Sequence, residues 1–395
     1  MAKIVLVNKF YYDRGGDCIA MLSTEQLLKS KGHQVAIFSM QFEKNFHSEW
    51  ESYFPKEISF TSQNLLAKFR AASRLFKPND VVEKFLKLIN RFKPDVVHLH
   101  NIHSYISPVV AEVAHQKGIR VVWTMHDYKL ICPAYTCLNH GTVCEQCLTD
   151  KSQILLNKCL KNSFLASLFA WMEAICWNRG KLTKITDYFI SPSLFLKTKM
   201  MEAGFPENKI EVLSNFMPQI INPAASRKHY YCYVGRISEE KGIDTLLNAA
   251  MQLPYSLKVI GDGPLLDVLR NDYHHEKIDF LGYLPSQKVY EIVKAARCAV
   301  IPSVWYENNP LSVIESLCMG TPVVGARIGG IPELIEEGVN GFLFTPHNIP
   351  ELKEKIDLCF HHFQDFKDFE KIAEQAQNKF GSESFYRKLL NIYGH

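Results

Sequence analysis

The run Tyr233-Val234-Gly235-Arg236-Ile237-Ser238-Glu239-Glu240-Lys241-Gly242 sets two cations five residues apart where an apolar stretch gives way to a helical pattern. Arginine offers a planar fork and lysine a compact charge, so together they suit a diphosphate and can neutralise it as a leaving group without a metal. The alternative is a solvated pair bridging to Glu239 and Glu240. A second constellation, Trp305 to Gly320 (WYENNPLSVIESLCMG), puts Asn309 where it can cap a helix with Pro310 at its first position. Proline has no amide hydrogen, so the free donors at that helix start are Leu311 and Ser312, facing an anion. Glu307 precedes this helix and Glu315 lies about a turn and a half inside it. Two such carboxylates can accept hydrogen bonds from sugar or ribose hydroxyls; the plainer reading is a surface acid and an exposed helical glutamate.

Other signals are fainter. Gly15 and Gly16 follow the first apolar run, and Gly261 and Gly263 follow another in VIGDGP. Such glycines let backbone approach a ligand, but they also make ordinary turns. The segment Trp123-Thr124-Met125-His126-Asp127 closes a strand pattern, which would carry His126 to a strand end. His98, His100 and His103 (HLHNIH) mimic a metal site, and strand alternation puts His98 and His100 on one face. The 11 cysteines are an odd number, and Cys132, Cys137, Cys144, Cys147 and Cys159 fall close together. Cys144-Glu145-Gln146-Cys147 has the spacing with which two thiolates grip a tetrahedral zinc. Free thiols packed as small hydrophobes are the alternative, and no disulfide framework is expected.

Positioning these groups requires a scaffold, and 395 residues are too many for one ordinary core. With 47% hydrophobic and 22% charged residues the chain is neither disordered nor low in complexity. Short β-rich runs alternate with helical patterns, the signature of a parallel sheet with helices on both faces. The first half offers strands at Lys3 to Val7, Gln34 to Ser39, Val96 to His100, Arg120 to Met125, Tyr188 to Ser191 and Ile210 to Ser214. The second offers Tyr230 to Val234, Leu257 to Ile260, Ile278 to Leu281, Ala299 to Ile301 and Pro322 to Val324. Periodicity lapses over residues 215–228, so two Rossmann-like domains are predicted, residues 1–222 and 223–380, with a final helix in 381–395 packing back on the first. In open α/β sheets the loops after the strands bind ligands, and the glycine pairs, the two cations and Glu307 fall on such loops.

Charge divides unevenly, +8 over residues 1–222 and −4 over 223–395. That is too mild for nucleic acid and points to an anionic lipid surface or an acidic substrate. Residues 151–200 hold eight Lys or Arg among Phe164, Leu165, Leu168, Phe169, Trp171, Met172 and Trp177, with only Glu173 and Asp187 as acids. Such a face can rest on an anionic membrane, or pack on its own domain with a solvated basic edge. The apolar stretch Phe164 to Trp177 is too short to span a bilayer, and MAKIVLVNKF reads as a buried strand and not a signal peptide. A cytoplasmic protein, peripheral on the membrane's inner face where it docks, is expected.

Gly235-Arg236 with Lys241-Gly242, GDGP, Glu307-x7-Glu315 followed by Gly320-Thr321-Pro322-Val323-Val324, Gly329-Gly330 with Glu333, and Asn340-Gly341 together resemble the retaining glycosyltransferases of family 4. The resemblance covers essentially the whole chain. It implies the α/β GT-B fold, two Rossmann-like domains facing an interdomain cleft, acceptor in the first and nucleotide-sugar donor in the second. By that resemblance Arg236 and Lys241 bind the donor diphosphate, Glu307 contacts the transferred sugar, Glu315 holds the ribose, and Gly15, Gly16, Gly235, Gly261, Gly263, Asn309, Leu311 and Ser312 complete the donor site. His126 would lie beside the donor sugar, and His100, Asn101 and Asp127 would line the acceptor cleft. Asn308-Asn309-Pro310 replaces the commoner Gly-Phe-Gly, which looks like the branch that builds bacterial surface polysaccharides.

Also by resemblance, Cys132 and Cys159 would complete a structural zinc with Cys144 and Cys147 in an insertion at about 130–160. No two aspartates lie two residues apart, so the Asp-x-Asp motif of the other main glycosyltransferase fold is missing and a transfer needing no metal or other cofactor is implied. The expected partners are a UDP- or GDP-sugar, a glycan or polyprenyl-diphosphate-linked acceptor, and no nucleic acid. The alternatives are a sugar-nucleotide epimerase or glycan phosphorylase of the same fold, or an inactive sugar-nucleotide-binding scaffold.

Overall fold

Apolar runs such as KIVLV and YYCYV are buried along nearly their whole length, as strands covered on both faces must be. The computed structural model describes residues 1–58, 74 and 78–394, and among these the chain forms two units. The first comprises Met1–His140, Cys144–Leu213 and Tyr386–His395; the second comprises Gly141–Val143 and Ser214–Phe385.

In the first unit β1 (Lys3–Val7), β2 (Gln34–Phe38), β3 (Val96–Leu99), β4 (Arg120–Thr124), β5 (Tyr188–Ser191) and β6 (Ile210–Val212) form one sheet in the order β2-β1-β3-β4-β5-β6. Every pairing in it is parallel. The helices that cover it carry the expected apolar stripe: in Asn79–Phe92 the buried residues are Val81, Phe85, Leu88, Ile89 and Phe92, one face at helical spacing. That helix ends where Lys93 turns left-handed at φ 54°. Register aligns the carboxyl ends of the central strands, with Val7 opposite Leu99 and Leu99 opposite Trp123. The loops after β1, β3 and β4 therefore emerge side by side.

The second unit repeats the plan with β7 (Tyr230–Val234), β8 (Ser256–Ile260), β9 (Ile278–Gly282), β10 (Ala299–Ile301), β11 (Val323–Ala326) and β12 (Gly341–Phe344), all parallel, in the order β9-β8-β7-β10-β11-β12. The edge strand β12 is absent from the sequence expectations, because GFLF is a four-residue run with no alternation. The chain changes unit between Leu213 and Ser214, ahead of the boundary read at 222. The Leu213 amide still bonds the Ser191 carbonyl, while Asn215 is already held by Asn309.

The final helix, Ser382–Tyr393, delivers Tyr386–His395 to the first unit. There the Arg120 guanidinium bonds the Ile392 carbonyl, and the Tyr393 hydroxyl bonds His98 Nδ1 at 2.7 Å in a fully buried contact. Tyr393→Phe would strand one nitrogen of His98, so a loss of about 1–3 kcal/mol is expected. A urea unfolding midpoint lowered at unchanged slope is the check.

Candidate functional site

Polar groups gather at the carboxyl edge of each sheet. In the first unit the strand ends are stitched together: the His100 amide bonds Val7 O at 2.8 Å, Lys9 N bonds Asn101 O at 2.9 Å, and Asn101 N bonds Asn8 Oδ1 at 3.0 Å. The Asn101 side-chain amide then donates to Asp17 Oδ2 at 3.0 Å and Asp127 Oδ2 at 3.3 Å, tying three loops with one group. The two aspartates differ electrostatically. For Asp17 burial works upward, but the charge of Lys9 and the Asn101 bond hold it below the ordinary value. For Asp127 burial dominates, and the carboxyl sits above that value despite the bond from the Lys129 amide.

His126 Nε2 and His100 Nδ1 are 2.9 Å apart, with the rings within 14° of parallel. Burial pushes both down, His126 to about 4 and His100 well below its ordinary value, so both are neutral near pH 7. A small open pocket, with about 10 Å³ of room, is lined by His100, Asn101, His103, Trp123, His126 and Asp127, among others. The expected acceptor residues His100, Asn101 and Asp127 thus share one wall with His126. Gly15 and Gly16 open the helix Gly16–Ser30 and do not line this cavity.

The histidines of this cluster have protein partners. His98 is shared between Tyr393 and Thr124, His100 faces His126, and His103 stacks on Trp123 at 5.2 Å. Among the described residues no group of three or more His, Cys, Asp or Glu side chains is placed to hold a metal ion. Cys132, Cys144, Cys147 and Cys159 form no such group. Instead the Cys132 sulfur is held low by hydrogen bonds from the thiols of Cys137 and Cys147, whose own values are pushed up. Cys144 and Cys159 are only half-buried.

In the second unit the centre is Glu307, buried on the loop after β10. Its Oε1 receives Lys241 Nζ at 2.7 Å, Ser303 Oγ at 2.6 Å and Trp305 Nε1 at 3.0 Å. Burial pushes this carboxyl up, but the Lys241 charge and the three donors outweigh it and hold Glu307 below the ordinary value. Lys241 also lies 5.1 Å over the Trp305 ring. Neither cation bridges to Glu239 or Glu240 in a described ion pair; Arg236 is exposed and has no acid partner among the described residues.

Glycine is required here for close packing. At Gly329, φ +60°, a Cβ would collide with the backbone of Glu307, and at Gly242, φ +65°, with the Pro302 carbonyl. Gly261 and Gly263 let their loop close on Gly235 and Ile237. Asn309 does not cap the helix. Its side-chain oxygen accepts from Ser214 Oγ and Asn215 N, and its carbonyl accepts from Asn215 Nδ2. Pro310 becomes the cap residue, Leu311–Cys318 is the helix, and the amides of Leu311 and Ser312 have no partner among the described residues. Glu315 lies deep in that helix, touched by the Tyr290 hydroxyl at 3.3 Å, and burial pushes it to about 7.

Sequence reasoning missed Asn8, Lys9 and Asp17 in the first unit and Ser303 and Trp305 in the second. Each flanks a motif that was recognised, and position on a loop after a strand was the available signal.

Residues 21–218 match the family model described as Glycosyltransferase Family 4, and residues 218–379 match that of Glycosyl transferases group 1. A 42.6 kDa protein of the cps region of Klebsiella pneumoniae is 28% identical over 353 residues, covering 84% of this chain and 87% of that protein. Anabaena Alr3699/HepE, solved with UDP, superposes with TM-score 0.66 at 17% identity over 99% of both chains. The lipopolysaccharide outer core galactosyltransferase WaaB gives 0.63 at 17% identity, covering 99% of this chain and 98% of that one.

Glu315 supplies a test of this electrostatic picture. A glutamate raised from 4.5 to about 7 by burial destabilises the fold once ionised. Its contribution is least unfavourable below pH 4.5 and worsens as pH rises through 7, by an amount on the order of 3 kcal/mol. Glu315→Gln keeps the shape without the charge, so its unfolding midpoint should match the wild type at pH 5 and exceed it at pH 8. Equal midpoints at both pH values would refute the buried, charge-costly assignment.

Proposed function

This chain belongs to glycosyltransferase family 4 and has the GT-B fold, and on that premise we propose that it moves a sugar, with retention at the anomeric carbon, from a nucleotide-sugar to a hydroxyl of a glycan or lipid-linked acceptor in surface polysaccharide assembly. The observation that carries the donor assignment is the anion-ready group at the carboxyl edge of the second sheet. Arg236 is exposed without an acid partner, the Leu311 and Ser312 amides are free among the described residues, and Lys241 is already ordered by Glu307. In this reading one diphosphate takes all of these, with Lys241 sharing its charge between Glu307 and phosphate.

In this reading Glu307 accepts from hydroxyls of the transferred sugar and Glu315 from the ribose. Its raised value means that ribose binding at neutral pH draws it into the ionised form and releases a proton. Charge grows on the departing diphosphate in the transition state, where Arg236, Lys241 and the helix amides stabilise it. That diphosphate takes the proton of the attacking hydroxyl from the same face, so the first unit need supply no carboxylate nucleophile. Relatives from cps regions and a lipopolysaccharide galactosyltransferase neighbour support the polysaccharide role, and a neighbour solved with UDP supports a nucleotide-sugar donor.

The first unit also carries a surface suited to an anionic membrane. Helix Phe164–Cys176 buries Ser167, Ala170 and Glu173 and turns its large apolar residues outward, with Leu165 65% and Phe164 51% exposed. Exposed Lys158, Lys161, Arg179 and Lys184 surround it. No helix among the described residues is long and apolar enough to cross a membrane, so docking would be at the surface.

Two measurements test these proposals. Arg236→Ala should keep its melting temperature and lose roughly a hundredfold in turnover, with less effect on donor binding. Lys241→Ala should also lose stability, since it strands the buried Glu307 carboxylate; adding Glu307→Gln should recover the stability but not the turnover. A panel of UDP-, GDP- and ADP-sugars that leaves melting unchanged and is never hydrolysed would refute the donor reading. For the surface, wild type should sediment with phosphatidylglycerol vesicles and be released by salt. Lys158→Glu, Lys161→Glu and Lys184→Glu together should abolish this, and unchanged sedimentation would count against docking.

A further inference from the structure

We propose that His100 sets the tautomer of His126, so that His126 presents an Nδ1–H to the first unit's cavity and serves there as a neutral hydrogen-bond donor to a ligand hydroxyl oxygen, not as a base. The inference rests on reading that cavity as a site for sugar or acceptor hydroxyls.

Each neutral imidazole carries one N–H and one bare nitrogen, and the pair shares a single contact, His100 Nδ1 to His126 Nε2 at 2.9 Å. Two arrangements satisfy it. If His126 donates from Nε2, His100 must hold its own hydrogen on Nε2. That nitrogen is buried with no hydrogen-bond partner among the described residues, so the arrangement strands an N–H in the interior. If His100 donates from Nδ1, the buried atom is a bare lone pair. Orphaned donors are the rarer and more costly defect, so the second arrangement is preferred.

The consequence lands on His126. With Nε2 accepting from His100, its hydrogen must sit on Nδ1, which has no partner among the described residues. The residue lines the cavity, and Nδ1 is its remaining polar atom. The His100 backbone is pinned by the Trp123 indole, which bonds its carbonyl at 3.0 Å, and its ring packs 4.4 Å from that of His98. His98 is locked in turn by Tyr393 and Thr124, each at 2.7 Å. His126 therefore has no free lone pair with which to take a proton from an attacking hydroxyl. It can only donate, which leaves the proton to the departing diphosphate.

The decisive experiment is a long-range proton–nitrogen correlation spectrum of the ligand-free, histidine-labelled full chain, assigned with single-site variants. Nδ1–H signals for both His100 and His126 are expected; an Nε2–H on His126 overturns the proposal. Kinetics give a second readout. His100→Phe should lower turnover tenfold or more with little change in the donor Michaelis constant. His100→Asn, whose amide can reach the same nitrogen, should recover a large part of that loss. Equal impairment by Phe and Asn would reduce His100 to a packing role and overturn the proposal. If the tautomers are as stated but His126→Ala retains full turnover, the tautomer assignment stands and the reading of the cavity as a hydroxyl site fails.

Discussion

A carboxylate taken out of water must be compensated or it will protonate or unfold its surroundings. In the second unit that constraint is met at Glu307 by one ammonium, one hydroxyl and one indole, all on a single oxygen. Much of the local architecture follows. Gly242 lets the Lys241 loop close on Pro302, Gly329 lets a neighbouring loop lie against the Glu307 backbone, and the Gly330 amide caps the Glu307 carbonyl at 2.7 Å. A lysine ordered in this way meets an anionic ligand without first losing its own rotamer freedom.

The first unit answers the same constraint with the Lys9 ammonium, an amide and neutral imidazoles. Asn101 spreads its amide between Asp17 and Asp127, and a file of histidines runs from Tyr393 to His126 without a net charge near pH 7. In the proposed reading the cations of the second unit meet a diphosphate, and the imidazole and amide groups of the first meet hydroxyls. Glu173 links this cavity wall to the surface helix, since its carboxylate accepts from Ser104 N and Oγ and lies 3.1 Å from Lys129 Nζ. The helix that turns its apolar side outward thus directs its one acid to the loop that carries His103.

Parallel strands, their order of appearance and the loops at their ends were legible from sequence, because β-rich runs and helical stripes obey periods of 2 and 3.6 that any folded context preserves. Arg236, Lys241, Glu307, His126 and Asp127 were legible as loop residues, and Glu315 as a residue inside a helix, for the same reason. Strand β12 escaped because four apolar residues carry no period, and the unit change was read late because proline-rich sequence marks irregularity and not the loss of contacts.

What the residues touch was a different matter. Asn309 looks like a helix cap, but Ser214 and Asn215, nearly a hundred residues earlier, claim its oxygens. The C-x2-C spacing suggested a metal, and the fold brings Cys132 close enough to Cys137 and Cys147 for their thiols to perturb one another. Lys241 was free to bridge to its sequence neighbours, and it bonds Glu307 instead. Local periodicity determines which elements form. The partners of a polar side chain are decided by which distant atom reaches it once water is excluded, and only the packed tertiary structure sets that distance.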